Sequence, residues 1–378
     1  MISKLPKVTT TIFAVMSKMA QEYDAINISQ GYPNFNSDPK LIDLVSEAMR
    51  SGFNQYAPMP GDGLLRERIA EKINNTYGSS YSPDADITIT AGATQAIFTA
   101  IAATVHKGDE VIVFAPAYDC YEPAIELFGG IPVAIQMKPP SFEPDWKEVA
   151  DRISAKTRMI IINSPHNPSG MLFSKADMLE LQRLVLEHDL YVISDEVYEH
   201  IIFNGNDHQS AARFPDLAER TFITASFGKT FHNTGWKMGY CVASSHLMQE
   251  FRKVHQYNVF SVNHPLQRAL ATYLEDPETY LGLSGFYQAK RDHFLKLISG
   301  SRFKFVPSKG TYFQLLDYSG ISTKGDIEFS EWLTKEKGLA TIPTSVFNRG
   351  GEDFRQLRVC FAKTDETLEA AARIINSL

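Results

Sequence analysis

Along the middle of the chain, short runs of β-branched and apolar residues alternate with stretches whose apolar positions recur every three or four residues. The runs are Asp86–Thr90 (DITIT), Glu110–Phe114 (EVIVF), Met159–Asn163 (MIIIN), Tyr191–Ser194 (YVIS), Thr221–Thr224 (TFIT) and Tyr240–Ala243 (YCVA). Most are close to continuously apolar, as a strand must be when helices cover both faces of its sheet. Between them, Ala93–Val105 is Ala-rich and opens directly after Gly92, and Lys175–His188 sets Met178, Leu181, Leu184 and Val185 on one helical stripe. The succession predicts parallel βαβ units and an α/β fold with an open, doubly wound sheet. From about Val242 the pattern turns to long helical sequence with Pro265 and Pro277 as breakers, and after Phe303 short strands and helices return, as in a second lobe. The first forty residues, with Pro6, Pro33 and Pro39, do not read as a βαβ unit and are expected to form an arm packed on that lobe. No internal repeat or low-complexity tract is evident.

Composition narrows this picture without naming a chemistry. The 378 residues suffice for two domains at about 150 residues each. The 44% apolar content, with 24 Phe and 16 Tyr, excludes a disordered chain. Lys plus Arg total 37 against 44 Asp plus Glu, a net charge of −7, so no basic excess points to nucleic acid. Cys120, Cys241 and Cys360 are too few and too scattered for a disulfide framework or a zinc site, which fits a reducing compartment. The opening MISKLPKVTTTIF has no apolar signal core and no run of 18 apolar residues occurs, so the expectation is a cytoplasmic protein without a membrane partner.

Ligands of open α/β sheets bind beyond the carboxyl ends of the strands, so the residues just after each strand carry the candidate chemistry. After Asp86–Thr90 comes Ala91-Gly92-Ala93-Thr94-Gln95, a small-residue turn opening a helix. Its free N–H groups suit a phosphate, although an ordinary strand-to-helix turn has the same composition. After Met159–Asn163, two prolines and a glycine stiffen Ser164-Pro165-His166-Asn167-Pro168-Ser169-Gly170, which either aims the Asn167 amide into the crevice or is simply a turn. Tyr191–Ser194 delivers Asp195, with Tyr198 three residues on; the aspartate reads as a helix N-cap, a magnesium ligand or the partner of a buried cation. Thr221–Thr224 leads into Ser226-Phe227-Gly228-Lys229-Thr230. A phosphate-binding P-loop is excluded there, because Ile223 stands where its first glycine belongs. Lys229 is either a surface lysine or a partly desolvated amine with a depressed pKa, able to form a Schiff base.

Together, an anion cradle, an asparagine, an aspartate with a following tyrosine and a lysine at successive strand ends meet the needs of pyridoxal 5'-phosphate: its phosphate, its pyridine nitrogen and its aldehyde. The chain resembles the class I/II aminotransferases of fold type I. Within them it is most similar to the branch that holds kynurenine aminotransferase/glutamine transaminase K and the bacterial methionine aminotransferases. The resemblance rests on ISQGYPNF (28–35), NQYAPMPG (54–61), TAGATQAI (90–97), APAYDCYEP (115–123), NSPHNPSG (163–170), SDEVYEHIIF (194–203), SFGKTFHNTGWKMGY (226–240) and LRVCFAKTDETL (357–368). It implies a large domain with a mostly parallel, doubly wound sheet over residues 41–279. A small α+β domain is implied from residues 280–378, with 1–40 supplying an N-terminal arm and part of that small domain.

Carried over residue by residue, the resemblance implies that Lys229 bears the cofactor as an aldimine and is catalytic together with Asp195 and Tyr198. Asp195 would pair with the pyridine nitrogen, and Asn167 and Tyr198 would bond the phenolic oxygen. Gly92, Ala93, Thr94, Ser226 and Lys237 would hold the phosphate, joined by Tyr56 from the second subunit of a homodimer. Lys237 stands where many aminotransferases have arginine, and the lysine agrees with this branch. Tyr118 would stack on the ring, although Tyr118 and Tyr121 read equally as core aromatics. Arg358, with Gly31, Tyr32, Asn167 and Tyr118, would bind the substrate, its guanidinium taking the carboxylate in a bidentate pair; read alone, it could face solvent from an alternating strand. His166 favours the bacterial enzymes over the kynurenine aminotransferases, which have asparagine there. No metal is expected, since His200 and His208 lack zinc-ligand spacing.

The reaction implied is transfer of an amino group from methionine, glutamine or an aromatic amino acid to a 2-oxo acid by a ping-pong mechanism. Tyr32, Tyr118, Phe13 and Phe347 are candidates for the side-chain pocket, and no second arginine is evident to select dicarboxylates. The alternatives are a cysteine-conjugate or cystathionine β-lyase on the same fold and a non-catalytic protein that binds this cofactor. A nicotinamide dehydrogenase is disfavoured, since no GxGxxG follows a strand.

Overall fold

The apolar runs assemble into one sheet because their side chains alternate between two buried faces. Val111, Val113, Met159, Ile161, Ile193 and Phe222 pack on one side, Ile112, Phe114, Ile160, Ile162, Val192 and Ile223 on the other. With both faces covered by helices, neither set can be polar. The computed structural model describes residues 2–378. Strand β1 is Ile26–Asn27, and the large sheet comprises β2 (Ile87–Thr90), β3 (Glu110–Ala115), β4 (Ile131–Gln136), β5 (Thr157–Asn163), β6 (Tyr191–Asp195), β7 (Thr221–Ser226) and β8 (Gly239–Val242), in the order β2-β8-β7-β6-β5-β3-β4. Only β8 runs antiparallel to its neighbours.

Six of these seven strands follow from the sequence pattern. The seventh, β4, carries Pro132 and partly exposed residues. It lies at the sheet's edge, where a strand tolerates proline and needs no continuous apolar run. The two expected breakers instead start helices: Pro265 lies in the first turn of His264–Tyr273 and Pro277 is the N-cap of Glu278–Leu281, positions where a missing N–H costs nothing.

Four helices near the N-terminus are α1 (Ile12–Glu22), α2 (Pro39–Arg50), α3 (Gly63–Tyr77) and α4 (Ala93–Thr104). Helix α1 begins where the Thr11 hydroxyl accepts from the Ala14 N–H. A second sheet joins β11 (Ile342–Pro343), β12 (Gln356–Cys360) and β9 (Phe313–Asp317) antiparallel, in that order. Strand β1 pairs in parallel with β10 (Leu339–Ala340), so the N-terminal segment lies on the C-terminal elements. Among the described residues, no helix is long and apolar enough to cross a membrane.

Candidate active site

The carboxyl ends of β5, β6 and β7 and the N-terminus of α4 open into a cavity of about 250 Å³, closed on its far side by residues 30–32, Phe313 of β9 and Arg358 of β12. Strand register sets its floor, for Asn163 stands opposite Asp195 and Asp195 opposite Thr224. The Asn163 amide donates to the Asp195 carbonyl (2.9 Å), and its oxygen accepts from the Asn167 N–H (2.8 Å), which places Asn167 over the strand end.

Asp195 is buried and starts no helix, so it is not an N-cap. It accepts from the Tyr121 hydroxyl at 2.5 Å and more weakly from the Val197 N–H at 3.4 Å. Burial pushes its carboxyl up to about 6, against the pull of the Tyr121 bond. Lys229 sits in the one-turn helix Phe227–Thr230 after β7 and donates to the Gly31 carbonyl at 2.8 Å. Burial, aided by the positive fields of Arg358 and Lys237, lowers its amine to about 8. It is therefore the desolvated amine and not the surface lysine.

Arg358 is 1% exposed, which removes the solvent-facing reading of its strand. It donates to the Asn167 side-chain oxygen and the Ser29 carbonyl, both at 3.0 Å, and its guanidinium lies 4.0 Å from the Phe313 ring and 5.1 Å from the Phe13 ring. Its buried Nε has no partner among the described residues. The bonds of Arg358 and Lys229 go to carbonyls and an amide, so both cations retain their charge for an anion.

At the other end, Gly92 caps α4 with φ of 79°, a left-handed-side conformation that favours glycine, and no side chain caps the first turn. The leading N–H groups of α4 thus face the cavity beside Ser226 and the Lys237 ammonium. Uncapped helix N–H groups with a hydroxyl and a cation are the donor set for a phosphate, and a buried carboxylate is the partner for a protonated ring nitrogen. A lysine of lowered pKa completes a set that fits pyridoxal 5'-phosphate.

Of the residues expected at the site, Gly31, Tyr32, Gly92, Ala93, Thr94, Tyr118, Asn167, Asp195, Tyr198, Ser226, Lys229, Lys237 and Arg358 all line this one cavity. Tyr56 does not: it is 81% exposed, edge-on to Phe260. Phe13 lines the cavity; Phe347 is not among its lining residues but is stacked on Phe13 at 5.7 Å and has its ring 5.9 Å from the Arg358 guanidinium. His166 is buried: its Nε2–H donates to the Pro116 carbonyl, Ser169 bonds its other nitrogen, and burial lowers it to about 4. It supports the loop that carries Asn167.

Four residues escaped sequence reasoning. Tyr121 had a signal, standing one helical turn after Tyr118. Asn163, at the last position of β5, had one too. Gln30 had one as the residue before Gly31 in the ISQGYPNF motif, whereas Phe313, an ordinary strand aromatic, had none.

The family model for aminotransferase class I and II matches residues 23–375. The chain is 49% identical to the methionine aminotransferase of Escherichia coli K12, covering 100% of this chain and 98% of that protein. It is 31% identical to the kynurenine–oxoglutarate transaminase 1 of Rattus norvegicus, covering 97% and 95%. Among solved structures, an Escherichia coli protein identified as a methionine aminotransferase from its structure and reactivity superposes with a TM-score of 0.97, covering 100% and 99%. The N-succinyldiaminopimelate aminotransferase of Mycobacterium tuberculosis superposes at 0.95 with 33% identity, covering 100% and 99%.

Proposed function

The chain belongs to the class I and II aminotransferases, enzymes that depend on pyridoxal 5'-phosphate, and on that premise we propose that it moves the amino group of methionine to a 2-oxo acid. Glutamine and aromatic amino acids are further donors. The observation that carries this reading is the charge inventory of the cavity. Its charged lining is Asp195, Lys229, Lys237 and Arg358. Cofactor and substrate backbone would engage all four, which leaves no charged group for the substrate side chain. A thioether, an amide or a ring suits that surface, whereas a second carboxylate would be desolvated without a partner. The 49% identity to a methionine aminotransferase agrees.

In this reading the N-terminus of α4 at Gly92, Ala93 and Thr94, with Ser226 and Lys237, holds the cofactor phosphate, and Tyr118 covers the ring. Asp195 keeps a proton on the ring nitrogen, while Asn167 and Tyr198 hydrogen-bond the phenolic oxygen. When bound, the cofactor supplies an electrophilic carbon for the amine and a sink for the electron pair left when the Cα proton departs. Arg358 takes the substrate carboxylate through its two-pronged edge, which fixes the orientation of the Cα–H bond. Lys229, its pKa near 8, is neutral often enough near neutral pH to accept that proton as general base and would serve as general acid when it is returned. Tyr56 enters from a second copy, since in its own subunit it lies outside the cavity; the enzyme is then a homodimer with shared sites. The three free cysteines fit the cytoplasm.

The test is an assay of methionine with a 2-oxo acid acceptor. The reading expects methionine loss to equal formation of the new amino acid, with parallel double-reciprocal lines, and Lys229→Ala to lower the rate by about a thousandfold or more. Pyruvate and ammonia released from cystathionine without acceptor, and no transfer from methionine, would replace it with a β-lyase.

A further inference from the structure

We propose that the Gln30 side-chain amide is a specificity determinant that turns acidic amino acids away. The proposal rests on the aminotransferase reading above and deepens it. The Gln30 amide nitrogen donates to the Phe13 carbonyl at 2.9 Å and also to the Ser17 hydroxyl, both on α1. A carbonyl can only accept, so the nitrogen must face α1 and both its hydrogens are committed there. The amide oxygen therefore points the other way. No described residue donates to it, and Gln30 lines both this cavity and a neighbouring, more open one shared with Lys363 and Glu366.

The amide cannot easily turn, because the backbone beneath it is also fixed. Four successive carbonyls each receive a donor: Ser29 from Arg358 (3.0 Å), Gln30 from Lys363 (3.4 Å), Gly31 from Lys229 (2.8 Å) and Tyr312 (2.6 Å), and Tyr32 from Lys363 (2.8 Å). Rotating the amide would set its oxygen against the Phe13 carbonyl oxygen and leave both without a proton between them. We assign this fixed partial negative charge to the cavity that Gln30 shares with Phe13. Lys363, on the neighbouring cavity, donates to the strap carbonyls and does not line this one.

An incoming carboxylate at the end of a substrate side chain meets an acceptor and no donor. An amide at the same point brings an N–H, and a thioether brings no charge. Glutamine and glutamate are nearly equal in shape, so their ratio isolates this effect. The clamp also holds Phe13 over Arg358, which every substrate uses, and that contribution cancels in the ratio.

The experiment measures kcat/KM of the holoenzyme for methionine, glutamine and glutamate with one 2-oxo acid, in the native protein, Gln30→Ala and Ser17→Ala. The native enzyme is expected to favour glutamine over glutamate. In Gln30→Ala that preference should fall by about tenfold, the worth of one hydrogen bond to a charged or buried group. In Ser17→Ala, which frees one amide hydrogen, the preference should fall by a smaller factor while methionine turnover stays within about threefold. Equal losses for all three donors in Gln30→Ala, with the preference intact, would make Gln30 a structural clamp only and overturn the proposal. A native enzyme that transaminates none of the donors would overturn the aminotransferase reading itself.

Discussion

One wall of the cavity stands on strand ends and the other is a strap of loop, and the two are held by bonds of different range. In the first, Asn163, Asp195 and Ser226 end adjacent strands, and their places are consequences of register within a sheet whose two faces are buried. In the second, Ser29–Tyr32 leaves β1 and crosses the cavity with its carbonyls bonded to side chains between 198 and 333 residues away. The strand-end wall inherits its precision from many shared hydrogen bonds, so it fails only when undermined from below. The strap is held donor by donor and should yield to single substitutions. Gly31 marks how tightly it is drawn, since a Cβ there would come within 2.8 Å of the Phe313 ring.

The largest effect is expected beneath the strand-end wall. Lys72 of α3 and Glu199, next to Tyr198, form a buried ion pair joined by the Tyr77 (2.6 Å) and Tyr240 (3.0 Å) hydroxyls. Burial alone would push the Glu199 carboxyl up, but Lys72 and His200 hold it well below its ordinary range. Lys72→Met leaves that carboxylate buried without a cation and should destabilise the fold by about 3–5 kcal/mol in urea unfolding. A change below about 1 kcal/mol would mean the wall does not depend on this pair.

The strap side should respond in turnover rather than in stability. Arg358→Lys keeps the charge but loses the fork, and kcat/KM for methionine should fall by about 10- to 100-fold, mainly through KM, while cofactor uptake is retained. An equal loss of cofactor affinity would show that the two walls are not separable.

A smaller effect should follow Tyr121→Phe, which removes one hydroxyl from Asp195. Asp195 must be ionised to meet the cofactor's ring nitrogen, so cofactor uptake by the empty protein should be lost as pH falls through its pKa near 6. Without the donor, that pKa rises further and the acid limb of the cofactor-uptake profile should move up by about one pH unit, equivalent to about 1.4 kcal/mol. An unmoved limb would assign the acid limb to another group.

The same difference of range explains what could be read from the chain. Asp195 and Lys229 follow apolar runs of strand length, and Gly92 opens a helix, so local pattern and the rule of strand ends lead to them directly. The edge strand β4 was lost because Pro132 and exposed positions break the pattern. Phe313 was lost for a different reason: a strand aromatic acquires a role only from partners far away in sequence. Arg358 and Tyr56 were visible only through the family resemblance, as nothing local distinguishes the first from a solvent-facing strand residue or the second from any exposed tyrosine.

The central claim is that the strand-end wall presents one lysine to an aldehyde. Borohydride reduction of the protein loaded with pyridoxal 5'-phosphate, followed by peptide mapping, tests it most directly. The account predicts loss of the yellow colour and a single stable adduct on Lys229. An adduct on Lys237 or Lys363, or a protein that takes up no cofactor, would contradict it.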